Sequence, residues 1–422
     1  MLTQGDTTRG NYTVANGIVS HTSGTDWSYG ALVNAAATPA AQALVPYLDN
    51  PAVLLTTPAT FTVIGQKLPR PDILLKVNGA AKFGIDIFLP GMVFAAVKHC
   101  PTIGGVLTAV PARPSGALNV VPLKAYDNRG AVLKDSYNAI AIVADNSWSA
   151  NKMAKSLKIS WKLPTALASV DTAAIALLAK QRLANPGAGV WLAEPVVSNV
   201  ASIVQTNESL VVTALANASQ QVQATFSLPY VAHATMEVLN CTAQVIFSAG
   251  APSSCEVWAP TQNATAVVNT AIAITGLTAD KIKVHTTFLG GGLGRKIEQD
   301  YISQAIQIAM VTSAPVKLTW FREEDFANDN YRPMALIQVT AGLDNANNIS
   351  AWSLRTVTPS ISWQRATAAN LNKTKLDAQA VEGAVALPYS RGTAVTEWVP
   401  LDNDVAGIPV GYWRSVGCSM NK

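Results

Sequence analysis

The order of apolar and polar positions predicts strands and helices that alternate along most of the chain. Two-residue alternation and short apolar runs rich in β-branched residues indicate strands. Strands are predicted at Val93–Lys98, Tyr137–Ala144, Lys158–Trp161, Ser209–Leu215, Gln221–Ser227, Thr242–Phe247, Cys255–Ala259, Pro315–Trp320 and Met334–Ala341. Helical spacing predicts helices at Ala31–Gln42, from a cap at Asp145–Asn146 to Leu157, and at Ser169–Leu183, Ala264–Ile274 and Glu298–Val311. This mixture predicts an α+β protein.

The composition limits the classes of function that the protein could have. Charged residues make up only 13% of the 422 residues and apolar residues 49%, so much surface is expected to be buried in a large domain or against partner subunits. A net charge of +4 is too small and dispersed to favour nucleic-acid binding. No apolar run approaches the length of a membrane-spanning helix, and the first twenty residues lack signal-peptide features. The four cysteines form no Cys-x-x-Cys pair, so they are expected to be buried free thiols, and no metal ligands are predicted.

The segment Phe288–Lys296, with the sequence FLGGGLGRK, is the most informative for chemistry. Its four glycines allow the backbone to approach a flat or anionic group closely. A helix start nearby and the positive charges of Arg295 and Lys296 favour a phosphorylated cofactor. The glycine spacing fits neither the dinucleotide fingerprint nor the P-loop. A glycine-rich hairpin turn without a ligand is the alternative interpretation.

Other short motifs accompany this segment in a definite order. They are Pro229–Ala243, Trp258–Asn263, Phe321–Asp325, Tyr331–Pro333 and Trp413–Gly417. Together they resemble the molybdenum-binding large subunit of the xanthine dehydrogenase and aldehyde oxidase family. The resemblance is greatest to the branch that contains isoquinoline 1-oxidoreductase beta subunits and membrane-bound aldehyde dehydrogenase large subunits. Segments similar to the α/β hammerhead domain of that family are Leu68–Arg70, Lys76–Gly79 and Phe83–Asp86.

The resemblance implies an N-terminal connector over residues 1–66, an α/β hammerhead domain over 67–165 and the first half of the molybdopterin-binding domain over 166–422. It also implies an enzyme that oxidises an aldehyde to a carboxylic acid or hydroxylates an N-heteroaromatic ring such as isoquinoline. The expected cofactor is molybdopterin with molybdenum, in the cytosine dinucleotide form. Electrons are expected to pass to a partner subunit with [2Fe–2S] clusters and onward to a cytochrome c subunit. A periplasmic location at the inner membrane is expected, with a cytoplasmic one as the alternative.

Several cofactor-binding residues follow from the same resemblance. The backbone of Leu293 and Gly294, with Gly291 and Gly292, is expected to approach the metal end of the cofactor. Family members usually carry Phe at the position of Leu293. Gln262 matches a glutamine whose amide donates to an oxo ligand of the metal, although it could instead belong to a helix cap. Arg414 matches an arginine beside the molybdenum site.

Arg332 matches, by position, an arginine that stabilises negative charge on the substrate in purine-oxidising relatives. A structural salt bridge from Arg332 to Asp329 or Asp325 is the alternative.

Three groups of polar residues are given structural interpretations instead. Glu298 is offset by one position from the family glutamate and is expected to be a helix-start carboxylate. His233 and Glu237 could share a helix face, but no third ligand supports a zinc site. The segment Glu323–Asp325 is expected to be a solvated acidic turn.

Family members continue beyond the position of Lys422, through a second half that carries the catalytic base glutamate. The chain is therefore expected to be a truncated or split piece of a subunit and inactive by itself. A non-catalytic scaffold, or a half-subunit completed by a second polypeptide, is the alternative function. A generic nucleotide-dependent dehydrogenase is disfavoured by the glycine spacing.

Overall fold

The computed structural model describes residues 8–39, 57–127, 132–165, 170–185, 190–193, 208–366, 376–385, 387, 391–401 and 407–421. The chain divides into two compact units, Met1–Gly79 and Ala80–Lys422. The described part of the first unit holds a three-stranded antiparallel sheet of β1 (Tyr12–Ala15), β2 (Ile18–His21) and β3 (Asp26–Ser28). It also holds helices α1 (Tyr29–Ala36) and α2 (Ile73–Val77).

The second unit is built on two larger sheets. Its strands are β4 (Val93–His99), β5 (Val106–Leu107), β6 (Asn119–Asp127), β7 (Val132–Ala144), β8 (Trp161–Lys162), β9 (Val190–Ala193), β10 (Gln220–Leu228), β11 (Asn240–Ser248), β12 (Ala251–Ala259), β13 (Ile282–Thr286), β14 (Val316–Thr319), β15 (Ala335–Leu343), β16 (Ile349–Thr358) and β17 (Thr393–Pro400). A seven-stranded mixed sheet has the order β13-β12-β11-β14-β4-β7-β6, and a five-stranded sheet has the order β10-β15-β16-β17-β9. Strands β5 and β8 form a separate antiparallel pair.

Helices cover these sheets. They are α3 (Ser147–Ser156), α4 (Thr172–Ala184), α5 (Glu208–Ala216), α6 (Ala264–Thr275), α7 (Asp300–Ala309), α8 (Arg322–Ala327), α9 (Ile361–Arg365), α10 (Ala378–Val381) and α11 (Cys418–Asn421). Asn146 and Asn263 cap α3 and α6 through side-chain oxygens that accept backbone N–H groups, and Gly276 ends α6 in the left-handed conformation. Helix α7 buries Tyr301 and Ile306 completely in the core of the seven-stranded sheet.

One edge of the seven-stranded sheet collects the segments that carry the motifs. Strand β11 begins where its antiparallel neighbour β12 ends, and the parallel strand β13 ends beside β12, with Ala259 opposite Thr286. Strand β14 ends at the same edge, where Thr319 faces Asn240. Because these strand ends lie side by side, the motifs that precede or follow them along the chain meet in space.

The predicted α+β class is confirmed, as are most predicted elements. The predicted strand Ser209–Leu215 is wrong, because this segment lies within helix α5. There Val211 is 2% exposed while Leu210 and Val212 remain more than half exposed, so the segment buries one helical face and does not alternate. The predicted first helix is present as α1, and residues 40–42 of that prediction lie outside the described residues.

The predicted hammerhead and molybdenum-domain segments contribute strands to the same seven-stranded sheet, and the predicted boundaries between them stay a prediction. Among the helices of the described ranges, none combines the length and the apolar character needed to span a bilayer.

Candidate functional site

Gly290–Gly294, called the glycine loop below, is held by close contacts on three sides. A Cβ atom at Gly290 would lie 2.4 Å from the Glu237 side chain, and one at Gly292 would lie 2.4 Å from Gln262 Oε1. At Gly294, where φ is +103°, a Cβ would lie 1.7 Å from the Tyr412 carbonyl oxygen. Packing against neighbouring segments therefore requires glycine at Gly290 and Gly294, whereas at Gly292 the Gln262 side chain fills the space that a Cβ would take.

A buried ion pair anchors the start of the glycine loop. Lys296 Nζ lies 2.6 Å from Glu237 Oε2, which also accepts the Gly290 N–H at 2.9 Å. The Lys296 side chain is fully buried and that of Glu237 is 6% exposed. Burial alone would raise the pKa of Glu237, but the Lys296 and Gly290 hydrogen bonds hold it below its ordinary value. The pair ties the loop to the segment before β11.

A second buried network anchors the end of the loop. Arg295 donates to both carboxylate oxygens of Asp300, at 3.0 and 2.8 Å, and its Nε lies 2.8 Å from Asp329 Oδ1. The same Asp329 carboxylate contacts His233 Nδ1 at 3.0 Å. Burial opposes ionisation of Asp329, but His233 and Arg295 hold its pKa below the ordinary value.

These networks correct one expectation from the sequence. Arg295 and Lys296 are fully buried and satisfied by internal carboxylates, so the prediction that they offer positive charge to a ligand is wrong. The sequence shows that the two charges lie next to the loop. It does not show the carboxylates that pair with them, because those carboxylates come from distant segments. The loop is followed by a short 3₁₀ turn at Arg295–Ile297, and α7 begins only at Asp300.

The proposed shared helix face of His233 and Glu237 is absent, because this described segment forms no helix. Their side chains bind Asp329 and Lys296, respectively. No group of three metal-binding side chains occurs in the described part of the chain.

Gln262 lies against the glycine loop, as predicted by its place in the motif. Its Oε1 accepts the Gly294 N–H at 3.1 Å, and its own backbone N–H donates to the Lys296 carbonyl at 2.9 Å. The interpretation of Thr261–Asn263 as a helix cap is confirmed, because Asn263 caps helix α6, whereas the Gln262 side chain binds the glycine loop. Within the described residues the Nε2 group of Gln262 donates to no acceptor, and its side chain is exposed. This amide is available to a ligand.

The middle of the glycine loop offers further donors. The backbone N–H groups of Gly291, Gly292 and Leu293 have no acceptor among the residues that the structure describes. Gly291 and Leu293 have φ values of +95° and +54°, which turn consecutive peptide units in different directions. Consecutive free N–H groups in such turns suit an oxygen-rich or anionic group. The loop therefore still offers free backbone N–H donors, although the two cations beside it are paired with internal carboxylates.

The segment Tyr412–Val416 lies against the other side of Gly294. Ser415 and Val416 adopt φ values of +67° and +42°, which are uncommon for residues with a Cβ. Arg414 is exposed, and its guanidinium has no partner within the described ranges. Strained backbone that is fixed by its surroundings concentrates at ligand sites, and here it presents an unpaired arginine beside the glycine loop.

Arg332 is joined to this segment through Trp413. Its Cζ lies 5.9 Å from the Trp413 ring centroid, and its Nη2 donates to the Pro229 carbonyl at 2.7 Å. The alternative salt bridge to Asp329 or Asp325 is not formed, because those carboxylates bind His233, Arg295 and Arg322. The buried Nε of Arg332 is unpartnered, and burial lowers the pKa of its guanidinium.

Two acidic groups have structural roles. Glu298 is buried and hydrogen-bonded to Arg365, so it is engaged outside the glycine loop. The prediction of a solvated acidic turn at Glu323–Asp325 is wrong for two of its residues, because Asp325 is buried and Glu324 binds His99 at 2.9 Å. The segment forms helix α8, which buries Asp325 and leaves Glu323 exposed.

The structure therefore brings together Gln262, the glycine loop and the Tyr412–Val416 segment, which carries Arg414 and whose Trp413 lies against Arg332. The donor set is amide and guanidinium N–H, without metal-binding side chains. Such donors fit a cofactor that presents oxygen atoms to the protein and carries its metal on ligands of its own.

Sequence reasoning missed the pairing of His233 with Asp329 and the role of the Tyr412 carbonyl. These contacts join segments 96 and 179 positions apart, so no local spacing signals them.

Comparison with known proteins agrees with this geometry. Residues 194–371 match the model of the molybdopterin cofactor-binding domain. The isoquinoline 1-oxidoreductase subunit beta of Brevundimonas diminuta is 26% identical over 296 residues, which cover 69% of this chain and 35% of that protein. A membrane-bound aldehyde dehydrogenase [pyrroloquinoline-quinone] of Gluconacetobacter polyoxogenes is 24% identical over 288 residues, covering 68% of this chain and 34% of that protein. The chain thus spans about a third of the length of these curated relatives.

Solved structures share the fold. Quinoline 2-oxidoreductase from Pseudomonas putida 86 matches with a TM-score of 0.60 and 17% identity, over 84% of this chain and 46% of that one. The aldehyde oxidoreductase from Desulfovibrio gigas matches with a TM-score of 0.59 and 15% identity, over 85% of this chain and 40% of that one. Residues 194–371 of the chain are therefore similar to a molybdopterin cofactor-binding domain, and the fold is shared with the oxidoreductases named above.

Proposed function

We propose that this chain holds the metal end of a molybdopterin cofactor between the glycine loop and the Tyr412–Val416 segment. The observation that carries the proposal is the convergence of unpaired donors on one place. Gln262 and the glycine loop lie within residues 194–371, which match the molybdopterin cofactor-binding domain, and the segment that carries Arg414 packs against Gly294 through the Tyr412 carbonyl. When bound, the cofactor supplies the oxygen transfer and the electron transfer.

Each of these groups has a definite task in the proposal. Gln262 accepts the Gly294 N–H through Oε1, which leaves its Nε2 to donate to an oxygen on the metal. An amide suits this position because it donates without changing charge. Arg414 binds oxygen atoms of the pterin or of an anionic product through its planar guanidinium. Arg332, held against Trp413, stabilises negative charge that develops on the substrate.

The proposed reaction is oxidation of an aldehyde to its acid or hydroxylation of an N-heteroaromatic ring beside nitrogen. The names of the two curated relatives support the two substrate classes, and the isoquinoline 1-oxidoreductase relative is named as a subunit. We extend the proposal to a [2Fe–2S] partner subunit, a cytochrome c subunit, the cytosine dinucleotide form of the cofactor and a periplasmic location at the inner membrane. The resemblance to these relatives is what supports that extension.

The cofactor content of the protein tests the proposal. The chain is produced in a host that makes molybdenum cofactor, alone and together with the part of the isoquinoline 1-oxidoreductase relative that the match does not cover, and is purified without denaturation. Molybdenum is measured by elemental analysis, and the pterin by the fluorescence of its oxidised form.

Near-stoichiometric molybdenum and pterin in the wild type, with loss of both in Arg414→Ala, would support the proposal. Their absence from the wild type would overturn it and favour the scaffold function. Turnover of isoquinoline and of an aliphatic aldehyde by the loaded protein then separates the two substrate classes.

A further inference from the structure

Both ring nitrogens of His233 face atoms that accept hydrogen bonds. Nδ1 lies 3.0 Å from Oδ2 and 3.1 Å from Oδ1 of Asp329, and Nε2 lies 2.8 Å from the Tyr412 carbonyl oxygen. A carbonyl and an ionised carboxylate accept but do not donate. If Asp329 is ionised, both nitrogens of His233 must carry protons, and the ring is an imidazolium.

The surroundings of Asp329 keep its carboxylate ionised. Arg295 Nε lies 2.8 Å from Oδ1, and the backbone N–H of His233 donates to Oδ2 at 2.6 Å. Arg295 also binds Asp300, so two cations and two carboxylates form a balanced buried group. A neutral His233 would leave this group with one uncompensated negative charge, which is costly inside a protein.

The Tyr412 carbonyl that His233 binds is the atom closest to Gly294. A Cβ at Gly294 would lie 1.7 Å from this oxygen, so the carbonyl fixes how near the Tyr412–Val416 segment lies to the glycine loop. Trp413 lies close to both the His233 ring, with 4.8 Å between the ring centroids, and the Arg332 guanidinium, whose Cζ is 5.9 Å from the Trp413 centroid. An indole ring attracts nearby cations, which agrees with a charged His233.

We propose that His233 is a positioning residue: as an imidazolium between Asp329 and the Tyr412 carbonyl, it holds the Tyr412–Val416 segment against the glycine loop. Loss of its second proton releases that segment and, with it, Arg414. We call this arrangement of His233, Asp329 and the Tyr412 carbonyl the clamp. It follows from contacts within the chain and is independent of any cofactor. Its consequence for cofactor retention rests on the proposed function.

A polar cavity gives protons access to the buried group. The cavity has a volume of about 210 Å³ and is lined by Asp300, Asp329, Gln304 and Asn330 among others, which is room for several water molecules. The titratable or charged side chains around His233 and its partners are Asp329, Arg295, Asp300, Asp325, Glu298, Tyr331 and, beside the Trp413 ring, Arg332, while His99 and Tyr126 also line the cavity.

Nitrogen NMR of the full chain labelled with ¹⁵N-histidine measures the charge state directly. The chain has only four histidines, so His233→Gln assigns the His233 signals by their disappearance. We expect both ring nitrogens of His233 to be protonated at about pH 7.5, above the ordinary histidine pKa. A neutral ring at that pH, with one nitrogen unprotonated, would overturn the proposal.

Hydrogen exchange tests the clamp. Asp329→Asn keeps the size of the side chain and removes the charge that requires the imidazolium. We expect amide exchange of residues 411–417, corrected for intrinsic rates, to accelerate about tenfold or more, while helix α6 exchanges as in the wild type. In the wild type the same acceleration is expected as His233 loses its charge at rising pH. The clamp would be contradicted if residues 411–417 of Asp329→Asn exchanged at the wild-type rate. It would also be contradicted if exchange of the same residues in the wild type did not change as His233 lost its charge.

The two proposals fail in different ways. If His233 is charged and the segment responds, but the loaded preparation holds no pterin, the clamp stands and the proposed function fails. If pterin is bound and its release does not accelerate over the pH range in which the segment loosens, the link between clamp and cofactor fails. Both readouts are independent of turnover.

Discussion

Substitution of Gly294 by alanine tests the packing of the glycine loop against the Tyr412–Val416 segment. The new Cβ would lie 1.7 Å from the Tyr412 carbonyl oxygen and 2.5 Å from its carbon. These are backbone atoms, so one of the two segments must move by more than about 1 Å to restore an ordinary contact. The left-handed φ of +103° adds strain that any residue with a Cβ would share.

The expected loss of unfolding free energy combines the strain of the backbone with the overpacking of the added Cβ. The left-handed conformation costs about 1–2 kcal/mol, and overpacking costs about 1–3 kcal/mol more. Gly276→Ala is the matched control, because Gly276 has φ +72° with nothing within 4 Å of an added Cβ. The free energy of unfolding is measured by urea denaturation. Gly294→Ala is expected to lose about 1–3 kcal/mol more than Gly276→Ala, and exchange of residues 411–417 should accelerate. Equal losses in the two variants, with unchanged exchange, would refute the close contact.

Three further predictions concern buried lysines and Glu237. Lys296→Met leaves the Glu237 carboxylate buried without its cation and is expected to cost about 3–5 kcal/mol of unfolding free energy. The double variant with Glu237→Gln should recover part of that loss, and strictly additive losses would show that the pair is uncoupled. The pKa of Glu237 is lowered from its ordinary 4.5, so its stabilisation is complete at neutral pH and is lost as the pH falls below that value. Urea denaturation across acidic pH should therefore show a flatter profile for Glu237→Gln, and parallel profiles would contradict the lowered pKa.

Burial lowers the pKa of Lys317 to about 8 from its ordinary 10.5. The unfolded chain therefore holds more protons than the folded chain between these values, and stability should rise with pH there. Lys317→Met should remove that rise, and a rise of equal size in the variant would assign it to other groups.

Local sequence patterns predicted most of the fold, because apolar periodicity and caps act over a few residues. Asn146 and Gly276 mark helix ends that the structure confirms, and Tyr301 and Ile306 lie on the predicted buried face of α7. The segment around Val211 shows where this reasoning fails. A run of β-branched residues favours a strand, but packing of one face against the sheet makes it helical.

The sequence named residues that lie on adjoining segments, but it did not predict their contacts, and their role in binding a cofactor stays a prediction. Motif order predicted that Gln262, the glycine loop and Arg414 would meet, and they lie on adjoining segments. The partners of Arg295 and Lys296 could not be predicted, because Asp329 and Glu237 come from other parts of the chain. The glycines were attributed to a ligand, whereas three of them make room for the protein itself.

The most direct test of the account is the cofactor content of Gly292→Ala. A Cβ at Gly292 would lie 2.4 Å from Oε1 of Gln262, a flexible side chain that can move aside, so the fold should lose less than about 1 kcal/mol. Displacement of Gln262 takes its Nε2 donor out of the site. The account predicts that the variant, produced in the same way as the wild type, loses less than about 1 kcal/mol of unfolding free energy but most of its molybdenum and pterin. Wild-type cofactor content in a variant with a displaced Gln262 would contradict it.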